Sequence, residues 1–349
     1  MNLKPAVAIA LIALTALSGC SRRGTEEAPV AQSKGAATEV RLGYFPNVTH
    51  AAALIGVEKG LFTKELGNTK LTTQTFNAGP DEVNALLGES LDIAYIGSGP
   101  AINAYAKSKG EAVKLIAGAT SGGAQLVVKP EINSIEDLKG KVVATPQLAN
   151  TQDVSLKKYL AEKNLTGQVT VQNVENAQSL DLFKKGDIQG AWSPEPWSSR
   201  LVAEAGAKVL LDEKTLWEGG QFPTTVVIVR TKFLQEHPET VEAVLKGHVA
   251  AVDWAKANSG DAKKTVNAAL EKLTSKKLGE KILDSAWDHI ELTTDAQAKT
   301  FPQLAKDAVT AGVAKEAANV AGYADFTLLN KVLQAQGKPQ VQAAGLDQK

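Results

Sequence analysis

Glu195 stands between Pro194 and Pro196, with Trp192 and Trp197 close on either side. A carboxylate beside aromatic surface can accept from a cation or an N–H donor, and indoles supply rigid apolar area against which a ligand can lie. Both tryptophans can equally be core residues. Asn47, Thr49 and His50 gather an amide, a hydroxyl and an imidazole. Asn47 or Thr49 can serve as a simple helix cap, and a lone histidine can be a satisfied structural donor. Gln147, Asn150, Thr151 and Gln152 place neutral donors on one short stretch, with a polar surface loop as the alternative. Ser98 with Gly99, and Ser121 with Gly122, set hydroxyls beside glycines that allow close backbone approach. A tight turn at the first pair and a hinge at the second account for the glycines as well. These residue types suit capture of a small molecule better than the breaking of bonds.

The groups that catalysis needs are missing from the sequence. There is no GxSxG, no HExxH and no phosphate-cradling glycine loop. The four histidines, His50, His237, His248 and His289, are scattered without metal-ligand spacing. No cofactor and no metal are expected. Lys+Arg and Asp+Glu both number 38, giving a formal net charge of zero. That balance removes the attraction on which nucleic-acid binders depend, so no nucleic-acid partner is expected.

The elements that must position these groups alternate. Val40 to Tyr44 reads as a strand, Ala51 to Lys59 as a helix stopped by Gly60, and Leu71 to Phe76 as a strand. Asp81 to Leu87 reads as a helix, Leu91 to Ile96 as a strand and Pro100 to Lys107 as a helix. Thr120-Ser121-Gly122-Gly123 breaks the pattern and reads as a crossing between lobes. A second alternating set follows, with Ser134 as a helix cap, a strand at Lys141 to Thr145 and a helix from about Gln152 to Leu160. Val169 to Val174, Ser179 to Lys184, Gly190 to Ser193 and Trp197 to Ala205 continue it. The return crossing is expected near Gln221 to Thr225, before a strand at Val226 to Val229. Five helices should follow: Pro238 to Ala257, Ala262 to Leu273, Leu278 to His289, Ala296 to Ala311 and Phe326 to Gln336. Strands alternating with helices call for two α/β lobes with parallel sheets. Lobe 1 is expected over 39–121 and 225–336, lobe 2 over 122–224, and a frayed tail over 337–349.

The first residues carry a different signal. Lys4 precedes an apolar run from Ala6 to Leu17, which matches the core of a secretory signal over 1–19. Leu17-Ser18-Gly19-Cys20 resembles the bacterial lipobox, whose cysteine is acylated, and Cys20 is the only cysteine. An ordinary buried thiol is the plainer alternative. Residues 20–38 are expected to be a flexible tether, without disulfide support for the fold. The expectation is an exported chain held at the membrane by lipid on Cys20.

Gly43-Tyr44-Phe45-Pro46-Asn47-Val48-Thr49-His50, followed by Glu58-Lys59-Gly60-Leu61-Phe62, resembles the opening of the nitrate, sulfonate and taurine substrate-binding proteins. Leu91 to Gly97, Ile135 to Lys141, and Gly186 to Trp192 with Glu195-Pro196 match that family in order. The resemblance implies a type II periplasmic-binding-protein fold: two α/β lobes joined by a two-segment hinge, with a helical C-terminal region. It also implies closure around one small-molecule ligand and delivery to an ABC permease, with a monomer expected. The pattern around Asn47 and His50 also resembles the thiamine-pyrimidine binders. Ligands of open parallel sheets collect beyond the carboxyl ends of strands, which selects the loops named above. A carboxylate at Glu195 would repel a bare nitrate or bicarbonate, so an organic sulfonate, aliphatic or taurine-like, is favoured. An aminopyrimidine ring accepted by Glu195 near Trp192 stays as the alternative.

Overall fold

The computed structural model describes residues 33–348, so the expected signal segment and Cys20 lie outside the described residues. The first half of lobe 1 runs β1 (Glu39–Tyr44), α1 (Ala51–Glu58), α2 (Leu61–Leu66), β2 (Lys70–Thr75), α3 (Gly79–Leu87), β3 (Ile93–Gly97), α4 (Ser98–Lys107) and β4 (Val113–Gly122). Lobe 2 follows as β5 (Ala124–Val128), β6 (Val142–Thr145), α5 (Thr151–Glu162), β7 (Thr170–Asn173), α6 (Asn176–Lys185), β8 (Gly190–Pro194), α7 (Trp197–Ala205) and β9 (Lys208–Asp212). The chain then returns through β10 (Pro223–Arg230), α8 (Thr231–Glu236), α9 (Pro238–Ala257), α10 (Ser259–Thr274), α11 (Glu280–Asp288), β11 (Ile290–Leu292), α12 (Phe301–Thr310) and α13 (Thr327–Ala335).

Lobe 1 holds a six-stranded sheet in the order β11-β4-β10-β3-β1-β2, and lobe 2 a five-stranded sheet in the order β7-β6-β8-β5-β9. In each, three strands run parallel: β2-β1-β3 in one and β7-β6-β8 in the other. The returning strand β10 is antiparallel to both β3 and β4. Val226, Val227, Ile228 and Val229 are all buried, as expected of a central strand covered on both faces. The sheet of lobe 2 is covered by two apolar clusters, one around Leu126, Leu138 and Trp192 and the other around Val127, Leu180 and Phe183.

The helix α9 starts with Pro238 at its first position and turns Val241, Val244, Leu245, Val249 and Val252 into the core of lobe 1. His248 lies on the same buried stripe. Its Nε2 donates 2.8 Å to the Gly118 carbonyl and its Nδ1 accepts from the Tyr95 hydroxyl at 2.8 Å. Burial drives this imidazole down to about 4, so it is a neutral tie between α9, β3 and β4.

Gly122 and Gly123 form the first crossing, with φ of 70° and 78°, a region open to glycine and strained for other residues. The return passes through 3-10 turns at Glu213–Leu216 and Glu218–Gly220 into β10. One strand was not expected: after α11, Ile290–Leu292 pairs as β11 with Thr120 to Gly122 of β4, at the edge of the lobe 1 sheet.

Three sequence expectations need correction here. The expected tether is ordered over its last six residues, where Ala37 N donates 2.8 Å to Thr240 Oγ1 and Lys34 N donates 2.7 Å to the Glu236 carbonyl. The expected frayed tail is docked: Val341 and Leu346 are buried, and the Asn330 amide both donates to and accepts from the Val341 backbone. Ser134 is no helix cap. The Asp137 carboxylate instead accepts from the backbone N–H groups of Asn133 and Ser134, over a short 3-10 turn.

Candidate functional site

Parallel strands deliver their carboxyl ends, and the helices that follow them, to one edge of each sheet. The two lobes turn these edges toward each other. A small cavity between them is lined by Phe45 after β1, Asn77 after β2 and Gly97 at the end of β3. Pro146 after β6, Asn176 after β7 and Pro194 at the end of β8 line the opposite side. Asn47, Thr49, His50, Asn150, Thr151, Gln152, Thr224 and Thr225 complete it. Its volume is about 20 Å³, room for roughly one water, so the lobes must part to admit anything larger.

No Asp, Glu, Lys or Arg lines this cavity. The helices α4, α5 and α6 begin at Ser98, Thr151 and Asn176, so their N-terminal ends lie at its wall. Free N–H groups and the positive end of the helix dipole favour an anion at such a place. Thr225 Oγ1 and Asn176 Oδ1 are shielded from solvent without a hydrogen-bond partner. Polar atoms left in that condition cost free energy unless something completes them.

His50 is held tightly. Its ring stacks on Phe45 with centroids 4.4 Å apart, Nε2 donates 3.1 Å to the Tyr95 carbonyl, and Nδ1 faces Thr49 Oγ1 at 3.2 Å. Burial pushes its pKa down to about 3, against the opposing pull of the Tyr95 carbonyl. A hydroxyl beside an imidazole resembles a nucleophile with its base, but an imidazole this weak takes up no second proton at neutral pH and is a poor base. His50 is a neutral wall.

The sequence-selected residues separate into groups. Asn47, Thr49, His50, Asn150, Thr151 and Gln152 meet at the cavity. Ser98 and Gly99 stand behind it. Gly99 N donates 3.2 Å to Thr151 Oγ1, and a Cβ on Gly97 would come within 2.5 Å of that same oxygen, so the glycines let the start of α5 dock on α4. Gln147 reaches outward and donates 2.8 Å to Asp81 Oδ2 of lobe 1. Ser121 accepts from Gln297 Nε2 at 2.8 Å, and Gly122 is part of the crossing.

Trp192 and Glu195 are not at the cavity, contrary to expectation. Trp192 is fully buried in the core of lobe 2, its edge against Tyr159, and its Nε1 donates 2.9 Å to Glu213 Oε2. Glu195 is also fully buried. Its Oε1 accepts from Ser199 Oγ at 2.9 Å and from His289 Nδ1 at 2.7 Å, and its Oε2 accepts from Ser199 N at 3.2 Å. Contact with Glu195 holds the His289 imidazole above its ordinary value. The carboxylate therefore fastens lobe 2 to the β11 segment, and its expected repulsion of a bare anion has no basis at the cavity. The expected aminopyrimidine sandwich loses both its residues.

The tryptophan beside the cavity is Trp197, whose Nε1 donates 3.0 Å to Asn47 Oδ1. Sequence reasoning singled out Trp197 beside Glu195 but missed Asn77, Asn176 and Thr225. The first two follow β2 and β7, so the strand-end rule applied to every parallel strand would have found them. Thr225 lies on an antiparallel strand, where that rule is silent.

Among the described residues no three His, Cys, Asp or Glu side chains could hold a metal ion. A family model described as the NMT1-like family matches residues 33–270. Over 191 residues the chain is 32% identical to the taurine-binding periplasmic protein of Escherichia coli (strain K12), which covers 54% of this chain and 58% of that protein. The match thus spans little more than half of that relative's length. Over 305 residues it is 26% identical to the putative aliphatic sulfonates-binding protein of Bacillus subtilis (strain 168), covering 85% of this chain and 88% of that one. Among solved structures, the periplasmic nitrate-binding protein NrtA from Synechocystis PCC 6803 matches with a TM-score of 0.72 at 16% identity, over 87% of this chain and 90% of that one. At that identity the likeness concerns the two-lobed fold.

Proposed function

The chain belongs to the NMT1-like family, and on that premise we propose that it is the extracytoplasmic solute-binding component of an ABC-type importer. In this reading the two lobes close on a small organic sulfonate, aliphatic or taurine-like, and deliver it to a permease. The observation that carries the reading is the facing pair of strand-end edges, which bring three helix N-termini and only neutral side chains to one cavity. An anion of fixed charge needs donors that are already aimed and do not titrate, and backbone N–H groups at helix starts supply them.

Asn47, Thr49, Asn150, Thr151 and Gln152 are the proposed ligand contacts, joined by Asn77, Asn176 and Thr225. Ser98, Gly99 and Gln147 set the approach of the lobes, and Ser121 and Gly122 belong to the hinge. His50 shapes the wall. The names of the sulfonate- and taurine-binding relatives support the ligand class. A bare inorganic anion such as nitrate or bicarbonate is the second reading. It is favoured by the withdrawal of Glu195 and by the small cavity. No catalytic role is proposed, since the one hydroxyl and imidazole pair at the cavity lacks a working base.

Thermal unfolding of the purified protein with taurine, ethanesulfonate, nitrate and bicarbonate tests the reading. A ligand at a hundred times its Kd stabilises by about 2.7 kcal/mol. The sulfonates should raise the melting temperature most. A response to nitrate alone selects the second reading, and no response to any anion rejects both. Export and attachment through lipid on Cys20 complete the proposal. A clickable fatty-acid label should incorporate into the wild type and not into Cys20→Ser.

A further inference from the structure

Beside the cavity lies a second, larger space of about 210 Å³. The two share Asn47, Asn77 and Asn176, so the groove continues from the site where the anion is proposed to sit. Its character is different. Trp197, Phe76, Leu270, Leu278, Pro46 and Pro196 give it apolar walls from both lobes, with the charged Glu175, Arg200 and Lys276 also on its lining, whereas the cavity is lined largely by amides and hydroxyls.

The indole of Trp197 is fixed from two directions. Its Nε1 is bound to Asn47 at 3.0 Å, and the Arg200 guanidinium stands 4.8 Å from its ring centroid. Arg200 is itself held by Glu204 through contacts of 2.8 and 3.1 Å. A tryptophan held in this way is a ready surface for another ring, because little freedom is lost when the ring arrives. Neither nitrate nor taurine carries a ring to lay on this surface.

We propose that the groove beside Trp197 is a second subsite, which takes an aromatic tail carried by the anion whose head sits in the cavity. The inference rests on the capture reading above and narrows it: the protein selects ring-bearing organic anions over taurine-sized ones. Asn47 stands where head and tail would join, since it borders both spaces and holds the indole.

Calorimetric titration with ethanesulfonate and 2-phenylethanesulfonate tests it, on the wild type and on Ala177→Trp. Ala177 is exposed, lies in the first turn of α6 and borders the groove without bordering the cavity, so a large side chain there fills the tail subsite alone. The phenyl compound should bind the wild type at least about tenfold more tightly. Ala177→Trp should erase that advantage and leave ethanesulfonate unchanged. Equal affinities in the wild type, or equal weakening of both ligands by Ala177→Trp, would overturn the inference and leave the capture reading standing. If neither sulfonate binds, the same titration with propionate and 4-phenylbutanoate separates the two claims. A phenyl advantage that Ala177→Trp removes supports the subsite while sulfonate capture falls, and no binding of either phenyl anion overturns both.

Discussion

Trp197 Nε1 lies 3.0 Å from Asn47 Oδ1, and that bond joins the start of α7 in lobe 2 to the loop after β1 in lobe 1. It closes one side of the cavity. On the other side Gln147 Nε2 meets Asp81 Oδ2 at 2.8 Å and Thr151 Oγ1 meets Gly99 N at 3.2 Å. Around the small polar centre the lobes therefore meet through a few neutral or singly charged contacts, with the Glu195–His289 pair as a further tie away from it. Such contacts are individually worth about 0.5–1.5 kcal/mol when neutral and about 1.5–3 kcal/mol when one partner is charged, weak enough for the lobes to part and a ligand to enter.

Trp197→Phe removes the bond and keeps the aromatic wall. Ligand affinity should fall about two- to tenfold, the equivalent of one neutral hydrogen bond, with the melting temperature nearly unchanged. Asn47→Ala should cost more, since Asn47 also borders the cavity. Titration calorimetry on both variants reads the difference.

Trp192→Phe should do the reverse. Its indole serves Glu213, whose carboxyl burial has already pushed up to about 8 against the pull of Ser155 and Trp192. Losing the donor leaves a buried oxygen unsatisfied, at a cost of about 1–3 kcal/mol. Chemical unfolding should detect that loss, while affinity for the ligand stays within about twofold.

The Glu195 and His289 pair predicts a pH dependence. The imidazole pKa is raised above 6.5 chiefly by its bond to Glu195. The stability this adds is present in full below the unfolded value and is lost as pH rises through the folded one. Glu195→Gln should lower the melting temperature more at pH 6 than at pH 9. An equal drop at both values would contradict the assignment.

Glu82 predicts a loss of stability in the same direction, from a carboxyl group and beginning at lower pH. Both its carboxyl oxygens are buried without a partner, and burial raises its pKa well above 4.5. The folded protein keeps this proton after the unfolded chain has released it. Stability therefore falls as pH rises above 4.5, by at most about 1.4 kcal/mol per pH unit from this group. Glu82→Gln should flatten that slope between pH 5 and 8 in denaturant titrations, and an unchanged slope would rule the mechanism out.

The architecture was largely legible because its signals are local and periodic. The helix Pro238 to Ala257 could be read residue for residue from its proline start and apolar stripe. The Gly122-Gly123 break marked the crossing because only glycine takes that backbone readily. The short strand Ile290–Leu292 was hidden, since it is fixed by pairing with β4 and not by its own pattern. Strand-end loops could be selected by position, and Asn47, Thr49, Asn150, Thr151 and Gln152 from them line the cavity. Side-chain direction could not. Trp192 and Trp197 lie five residues apart on either side of the β8 to α7 turn, yet one faces the core and the other the groove. Glu195 looked like a ligand acceptor because its partner, His289, is distant in the chain and nothing local announces it.

The central claim is that an organic sulfonate is held between the lobes by neutral donors at helix starts. Titration of ethanesulfonate into the wild type and into Asn150→Ala and Thr225→Val tests it most directly. The wild type should bind, and each variant should lose at least about fivefold in affinity without loss of melting temperature in the absence of ligand. No binding by the wild type, or full affinity in both variants, would contradict the account.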